Sequence, residues 1–488
     1  MLTTLTAPAF AKTWDIEKGD ITVKAGETGN DVTQNNVTTK NDTNTIITNQ
    51  KTDTASSHTV TIKTNDKNDT VEVTLKDVNI DASSRNEAAV SVTGSGNTTI
   101  KLDGDNHLTG GISDNGSYGL SGISSSGSLT ISGGETDSLT AQGGSGTDGS
   151  GGRGIFSKDL TISGGTVNAN GGDGKNGSGG SGITSLGSLT ISGGTVNAAG
   201  GDGTNSSDGG DGITNNRGVT ISSGGTVTAK GGSGEDGSGG RGISSTSTTI
   251  SGGTVTADGG SGNFSGGNGI RSFDVAISGG TVNVAGGNGG NGSRSDVGNG
   301  IISNGIDLSG SLELTAKAGS PNGKALSRAG HELDLNTIKD KLGPGAKVTT
   351  TDADGKVNQV PIPGPVEPEE PVIPEESSSS SDGGSATPSA PASSLPGLTV
   401  TDKDGQRISY TSTQSGNTLT VCVGRFTASL RASLSTLRQL RAEGIDTITF
   451  QTILCSTTLS VDELLAMGGE DAEAVLTHRF TASSLTVG

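Results

Sequence analysis

One unit of about 29 residues recurs through the middle of this chain. Its clearest copies are 160–169 and 189–198, which both read Leu-Thr-Ile-Ser-Gly-Gly-Thr-Val-Asn-Ala. The isoleucine of the unit falls at Ile131, Ile162, Ile191, Ile221, Ile250 and Ile277. A Gly-Ile marker recurs with the same period, at Ile123, Ile155, Ile183, Ile213, Ile243, Ile270 and Ile301. A repeat of this length indicates a solenoid, a propeller or an array.

Within the unit, apolar and polar residues alternate at every second position, which is the period of a β-strand. Leu160 and Ile162 share one side of a short strand, and Val167 and Ala169 share one side of the next. A Gly-Gly pair between them marks a corner, and a third short strand surrounds each Gly-Ile. Three short strands without a helix exclude a leucine-rich repeat, and the unit is too short for a propeller blade. The sequence therefore predicts an all-β fold, a parallel β-helix with one coil per repeat.

Equivalent positions of successive coils stack about 4.8 Å apart in such a fold. Each apolar position therefore predicts an interior column. The predicted columns are the isoleucines of the unit, Leu129/Leu160/Leu189/Val219/Val275, Leu139/Val167/Val196/Val227/Val255/Val282, and Ala169/Ala198/Ala229/Ala257. Each coil buries few large groups, but stacking joins them into one core. This explains how a chain with 2% aromatic residues could fold.

Composition and charge exclude several classes of protein. Glycine supplies 85 of 488 residues but not every third position, which excludes collagen. No run of 18 apolar residues is present, so we expect no transmembrane segment. The formal net charge of −19 argues against nucleic acid as a partner. It leaves cations, or polyanions bridged by cations, as candidate ligands.

Changes in composition divide the chain into six segments. Residues 9–11 read Ala-Phe-Ala, which is the pattern of a signal-peptide cleavage site; the alternative is an ordinary N-terminal tail. Residues 305–355 lose the repeat, with a short helix predicted at 335–342. The predicted segments are a signal-peptide remnant (1–11), an N-terminal cap (12–57), the parallel β-helix (58–320), a C-terminal cap (321–358), a disordered linker rich in Pro, Ser and Glu (359–397), and a small α+β domain (398–488).

The C-terminal segment differs from the repeats because glycine falls and arginine rises. A leucine stripe predicts a helix at 428–442, and Ser-Val-Asp-Glu at 460–463 predicts the start of a second helix. Both cysteines lie here. Cys422 and Cys455 are too few for a zinc site. They could form one disulfide in an oxidising compartment, and equally they could be two buried thiols.

The loop after the alanine-containing strand carries a Gly-Gly-x-Gly-x-[Asp/Asn] motif, which only the repeat at 259–264 breaks, with Phe264. Stacked coils would turn its polar positions into ladders of oxygen atoms, and Ca²⁺ takes six to eight oxygen ligands. The motif matches the first half of the calcium-binding nonapeptide repeat, although the apolar residue of that repeat is missing. The alternative is that these residues only form turns. The predicted calcium ligands are Asp148, Asp173, Asn176, Asp202, Asn205 and Asp236.

The repeat and the opening Trp-Asp-Ile-Glu-Lys-Gly-Asp-Ile-Thr-Val at 14–23 resemble a known group. The chain is similar, over roughly 14–320, to carbohydrate-binding β-helix domain proteins on the surface of anaerobic Gram-positive bacteria. That resemblance implies a right-handed β-helix, related in shape to pectate lyases, which binds acidic pectic polysaccharide with calcium. The C-terminal domain resembles modules appended to such surface proteins.

These observations favour a secreted or surface-associated protein that binds an acidic, pectin-like polysaccharide with the help of calcium. The alternative is a structural adhesin or spacer, with a protein partner possible through the C-terminal domain. A polysaccharide lyase fits less well, because a lyase needs a basic residue beside clustered carboxylates. Arg153 and Arg241 share one coil position, but nothing else in the sequence converges on them. We therefore expect no enzyme and assign no catalytic residue, and the sequence does not indicate which residues contact the glycan.

Overall fold

The computed structural model describes residues 12–360 and 398–487, except 51–53, 115, 223, 291–297, 403–405, 409, 416, 424–426, 453–455, 468–472 and 480–481. The chain divides into two compact units, Met1–Glu369 and Glu370–Gly488. The predicted signal-peptide remnant at 1–11 lies outside the described residues, and so does nearly all of the predicted linker at 359–397.

The first unit is a parallel β-solenoid of about 13 turns, which confirms the predicted fold class. Each complete coil contributes one strand to each of three parallel stacks. In the coil that begins at Ile155, Ile155–Ser157 belongs to stack 1, Asp159–Ile162 to stack 2 and Thr166–Asn170 to stack 3. A glycine-rich loop then leads to stack 1 of the next coil.

The bounds of the strands follow the repeat. Stack 1 contains Ile21–Ala25, Val60–Lys63, Val90–Thr93, Ile123–Ser125, Ile155–Ser157, Ile183–Ser185, Ile213–Asn215, Ile243–Ile250, Ile270–Ala285, Ile301–Ser303 and Leu326–Arg328. Stack 2 contains Lys12–Asp15, Thr45–Thr48, Thr70–Lys76, Asn97–Asp103, Ser128–Ser132, Asp159–Ile162, Ser188–Ile191, Gly218–Ile221, and parts of Ile243–Ile250, Ile270–Ala285 and Gly305–Lys317. Stack 3 contains Asn79–Asp81, Asp105–Thr109, Ser138–Gln142, Thr166–Asn170, Gly194–Ala199, Gly225–Lys230, Thr254–Asp258, parts of Ile270–Ala285 and Gly305–Lys317, and Lys347–Thr351.

The predicted columns lie in the solenoid core, which also contains the isoleucines of the Gly-Ile marker. Leu129 pairs with Leu160, and Ile131 with Ile162, in the expected parallel register. The isoleucines of the unit are fully buried, and so, to within 2%, are the alanines and valines of the predicted columns in stack 3. Thr248 continues the leucine column between Val219 and Val275. Its buried hydroxyl lies 2.7 Å from Ser245 Oγ and 2.8 Å from Ser272 Oγ, so the polar group is satisfied inside the core.

At the N-terminal end, the parallel pairing begins earlier than the predicted boundary at residue 58. Lys12–Asp15 already pairs in parallel with Thr45–Thr48. The short 3₁₀ turn Ile16–Lys18 follows the first strand. An antiparallel hairpin, Asn30–Gln34 with Val37–Asp42, is inserted between these coils. The first coils therefore lie within 12–57, the segment predicted as the N-terminal cap.

At the C-terminal end, the parallel pairing also runs past the predicted boundary at residue 320. Lys347–Thr351 pairs in parallel with Gly305–Lys317. His331–Glu332 and Val357–Gln359 pair antiparallel to the last strands. The short helix predicted at 335–342 is two 3₁₀ turns, Leu335–Thr337 and Lys339–Lys341.

The second unit is the predicted small α+β domain. One sheet contains Leu398–Thr401, Ala428–Ser433, Glu473–Arg479 and Ala482–Val487, and the other contains Thr411–Ser415, Thr418–Cys422, Thr447–Gln451 and Ser456–Ser460. The helices are α1, Leu434–Ala442, and α2, Val461–Met467.

The helix predicted at 428–442 is wrong in its first part. Residues 428–433 form a strand because buried and half-buried residues alternate there, a period of two rather than 3.6. The helix begins where the Ser433 hydroxyl accepts a hydrogen bond from the Thr436 amide, at 3.2 Å.

Candidate functional site

The predicted calcium ligands lie on two separate ladders of the glycine-rich loops. On the first ladder, the carboxylate of Asp173 accepts a hydrogen bond from the Asp202 amide at 2.9 Å. The Asp202 carboxylate accepts one from the Ser233 amide at 2.7 Å. Each of these carboxylates therefore ties its own coil to the next coil through a backbone donor.

The second ladder is formed by amide side chains. Asn176 donates to the carboxylate of Asp148, and Asn205 donates to Asn176 Oδ1 at 2.7 Å. Asp148 belongs to this ladder and not to that of Asp173 and Asp202. Asn205 adopts a positive φ of 56°, as a turn residue does. Further along, Asp236 Oδ1 lies 3.4 Å from Asn263 Nδ2.

This arrangement bears on the fit of a calcium ion. The carboxylates of successive coils already accept hydrogen bonds from backbone or amide donors. Asp148 lies on a different ladder from Asp173. In the part of the chain that the structure describes, no group of three or more His, Cys, Asp or Glu side chains could hold a metal ion. The donor set thus fits the turn role, and calcium binding stays a prediction.

The glycines of these loops have a role that the sequence analysis missed. Each loop leaves stack 3 as one glycine segment and returns to stack 1 as a second, and the two segments lie against each other. Gly152 N donates to Gly144 O, Gly172 N to Gly152 O and Gly180 N to Gly172 O, each at 2.8 Å. The same alternation continues to Gly287. A Cβ on Gly180 would lie 1.8 Å from the carbonyl oxygen of Gly152, so only glycine allows this approach.

The return segments and the strands of stack 1 together form the wall of a long groove. Three concavities of about 370, 410 and 570 Å³ follow one another along the solenoid. The first two share Ser178, Gly179 and Ser181, and the last two share Arg271. We call this the arginine groove; its charged and aromatic lining residues are Tyr118, Arg153, Asp208, Asp211, Arg241, Arg271 and Phe273.

The return segments set one row of this groove, because the residue before each Gly-Ile faces it. The backbone hydrogen bonds from Gly154 to Ser181, from Gly182 to Asp211 and from Gly212 to Arg241 place these positions in register. The row therefore reads Arg153, Ser181, Asp211, Arg241 and Asn268 in successive coils. The Gly-Ile repeat was the available signal for this row, since the variable residue always precedes it.

Arg153 and Arg271 are uncompensated cations in the groove. Neither guanidinium has an ion pair or a hydrogen-bond partner among the described residues. Arg153 as a whole is exposed to solvent. The walls of the groove nevertheless remove part of the water around its guanidinium, and this desolvation lowers the pKa of Arg153. The group still carries its charge at neutral pH, because an arginine pKa starts far above 7.

The centre of the groove has the opposite character. Asp211 lies 3.7 Å from the guanidinium of Arg241. It also accepts hydrogen bonds from the Thr214 hydroxyl at 3.0 Å and the Arg241 amide at 2.7 Å. Asp208 is exposed, and its carboxylate accepts a hydrogen bond from the Ser238 amide at 2.7 Å. Arg241 is thus balanced by Asp211, while Asp208 adds a negative charge.

Aromatic side chains lie at both ends of the groove. Tyr118 is 56% exposed at one end and Phe273 is 59% exposed at the other. Phe156 lies beside Arg153, on the outward row of stack 1. The ends of the groove therefore combine a cation with an aromatic face.

The second unit contains the cysteines. The Sγ of Cys422 lies 3.4 Å from Gln451 Oε1. Cys455 lies outside the described residues, so the predicted disulfide stays a prediction.

Within the described ranges, no helix has both the length and the apolar character needed to cross a membrane.

Fold and groove define the first unit as a parallel β-solenoid with a polar surface groove along its axis. Comparisons with protein-family models, with curated proteins and with solved structures found no match to this chain.

Proposed function

We propose that this chain is a non-catalytic polysaccharide-binding protein, secreted or held at the cell surface, whose arginine groove takes an acidic glycan. The observation that carries the proposal is the pair of uncompensated guanidiniums, Arg153 and Arg271, in one groove of a chain with a net charge of −19. An acidic surface repels anions in general. Two cations that have no partner among the described residues supply local sites for carboxylates in a shared groove.

The shape of the groove supports an extended ligand. From Tyr118 to Ser265 the return segments advance by five coils, or about 24 Å at the usual strand spacing. The groove is open along this length, so a polymer chain could lie in it without a free end. Aromatic faces at both ends suit the apolar face of a sugar ring.

The experiment is a glycan array followed by calorimetric titration with an oligogalacturonate. We expect the double variant Arg153→Gln/Arg271→Gln to bind at least about tenfold more weakly, as loss of two charge-assisted contacts implies. Arg217→Gln is the matched control, because Arg217 is an exposed arginine that does not line the groove. Equal binding by both variants would remove the groove from the proposal.

The same titration separates the alternatives. A structural adhesin or spacer would bind no glycan on the array. A lyase would raise the absorbance of unsaturated uronate during incubation. Repeating the titration with a chelator measures whether calcium assists the binding.

A further inference from the structure

The two uncompensated arginines of the groove lie far apart along the solenoid. Arg153 lies on a return segment, two residues before Ile155, and Arg271 lies in stack 1, directly after Ile270. The parallel pairs Ile155–Ile183, Ile183–Ile213, Ile213–Ile243 and Ile243–Ile270 separate them by four coils. At the usual strand spacing this is about 19 Å along the axis.

Among the described residues that line the groove between them, Arg241 is the one further cation. The row facing the groove carries Ser181 and then Asp211, which is paired with Arg241. Asp208 lies in the same middle concavity without a cationic partner among the described residues. A carboxylate placed there would lose its hydration and meet a like charge.

A polyuronate with a carboxylate on every sugar therefore matches the ends of the groove and clashes with its centre. An extended pyranose chain advances by roughly one coil spacing for each sugar. A chain that carries a uronate on about every fourth sugar would place its carboxylates at Arg153 and Arg271 and neutral hydroxyls beside Asp208. Neutral hydroxyls can donate hydrogen bonds to that carboxylate.

From this charge pattern we infer that the arginine groove selects a sparsely charged acidic heteropolysaccharide, in which neutral sugars separate the uronates, over a homopolymer of uronate. This inference rests on the proposed function and specifies its ligand. It uses the spacing of Arg153 and Arg271 for attraction, and the carboxylate of Asp208 for rejection of the wrong polymer.

The experiment compares three fragments of equal length by calorimetric titration of the full chain at low salt. They are a fragment of deacylated gellan, whose linear tetrasaccharide repeat carries a single glucuronate, an oligogalacturonate, and a neutral cello-oligosaccharide. We expect the gellan fragment to bind about tenfold more tightly than the oligogalacturonate. The ratio of these two affinities should decrease as the salt concentration rises, because salt screens the charges of an open groove.

A variant tests the rejecting charge directly. Asp208→Asn keeps the oxygen that accepts the Ser238 amide, so the fold should not change. We expect it to bind the oligogalacturonate about threefold more tightly, in line with the weak effect of an exposed charge. Binding of the gellan fragment should not tighten, because its neutral hydroxyls would exchange a carboxylate acceptor for a weaker amide acceptor.

The outcomes separate this inference from the proposed function. If no acidic fragment binds, the proposed function fails. If the oligogalacturonate binds as tightly as the gellan fragment, or if Asp208→Asn leaves the preference unchanged, the selection of a sparse charge pattern is overturned while the glycan-binding function stands.

Discussion

The guanidinium of Arg153 lies over the ring of Phe156, with 5.3 Å between Cζ and the ring centroid. This distance is within the range of a cation–π contact. Phe156 stands in an outward row of stack 1 whose neighbours are Ser124 and Thr184. The ring of Phe156, which the adjacent coils lack, therefore fixes the position of the Arg153 guanidinium.

The first prediction concerns this contact. Phe156→Thr gives the position the residue of the adjacent coil, so the melting temperature should change little. Binding of an acidic glycan should fall about threefold, because an exposed cation–π contact contributes about 0.5–1 kcal/mol. Calorimetric titration measures the affinity. The same change in affinity for a neutral oligosaccharide would show that the ring, and not the orientation of Arg153, is the cause.

Alternation of polar and apolar residues made the interior columns predictable, because each strand has one buried face. The buried serines of stack 1 could not be predicted from this alternation. Ser157 and Ser185 occupy interior positions that the pattern would assign to apolar residues, and both are fully buried. The Ser157 hydroxyl donates to the carbonyl of Asp159 at 2.6 Å, so a polar group replaces an apolar one without a desolvation penalty.

The groove could not be predicted for a different reason. Its row reads Arg153, Ser181, Asp211 and Arg241, so no single residue type recurs from coil to coil. A repeat is recognised by what stays constant, and these positions vary between the constant glycines. The Gly-Ile marker aligns these positions, but whether they face a groove depends on how the return segments pack, which the repeat spacing of 27–31 residues leaves undetermined. The calcium motif drew attention to the same loops, but to side chains that face a different surface.

The second prediction tests the alternation itself. Ile191 is fully buried in the isoleucine column, whereas Thr190 is only half-buried, on the outward side of the same strand. Ile191→Asp should destabilise the solenoid by about 4 kcal/mol or more, because the carboxylate has no partner inside the column. Thr190→Asp should cost about 0.5 kcal/mol. Denaturant titration measures both, and equal losses would contradict the predicted columns.

The third prediction tests the contact between glycine segments. A Cβ on Gly180 would lie 1.8 Å from Gly152 O, and both segments are fixed by hydrogen bonds to neighbouring coils. Gly180→Ala should therefore destabilise the first unit by about 3 kcal/mol. Gly218→Ala is the control, since the nearest atom to its Cβ would be 3.9 Å away. Calorimetry of the two variants should show a lowered transition for the first one alone.

The fourth prediction separates the turn role of the loop carboxylates from calcium binding. Asp202 Oδ1 accepts the Ser233 amide, and an asparagine keeps that acceptor while an alanine removes it. In the presence of a chelator, Asp202→Asn should have the melting temperature of the wild type. Asp202→Ala should lower the free energy of unfolding by about 1 kcal/mol.

Calcium is then added to the same proteins. Binding to the native state raises stability by mass action. A calcium-dependent rise in the wild-type melting temperature that Asp173→Asn/Asp202→Asn lacks would support these residues as calcium ligands. The absence of any rise at millimolar calcium would leave them with the turn role alone.

The fifth prediction concerns the pH dependence of the second unit. His478 is buried against Phe450, with its ring nitrogens 3.3 Å from Thr452 Oγ1 and 3.0 Å from Thr457 Oγ1. Burial lowers the pKa of His478 below its ordinary value of 6.5, because desolvation disfavours the charged ring. The unfolded chain therefore binds a proton more readily than the folded domain. The neutral, buried ring therefore contributes fully to the stability of the folded domain above about pH 6.5. This contribution is lost as the pH falls towards the lowered pKa of His478 in the folded state.

The measurement is calorimetry of the full chain between pH 8 and about pH 5, above the range in which ordinary carboxylates titrate. The transition of the second unit should move to lower temperature as the pH falls through 6.5. In His478→Asn this dependence should disappear, whatever the absolute stability of the variant, because asparagine does not titrate. Trp14 is the only tryptophan and belongs to the first unit. Its fluorescence should therefore report an unfolding transition that the substitution leaves unchanged; a wild-type pH dependence that persists in His478→Asn would assign the effect to another group.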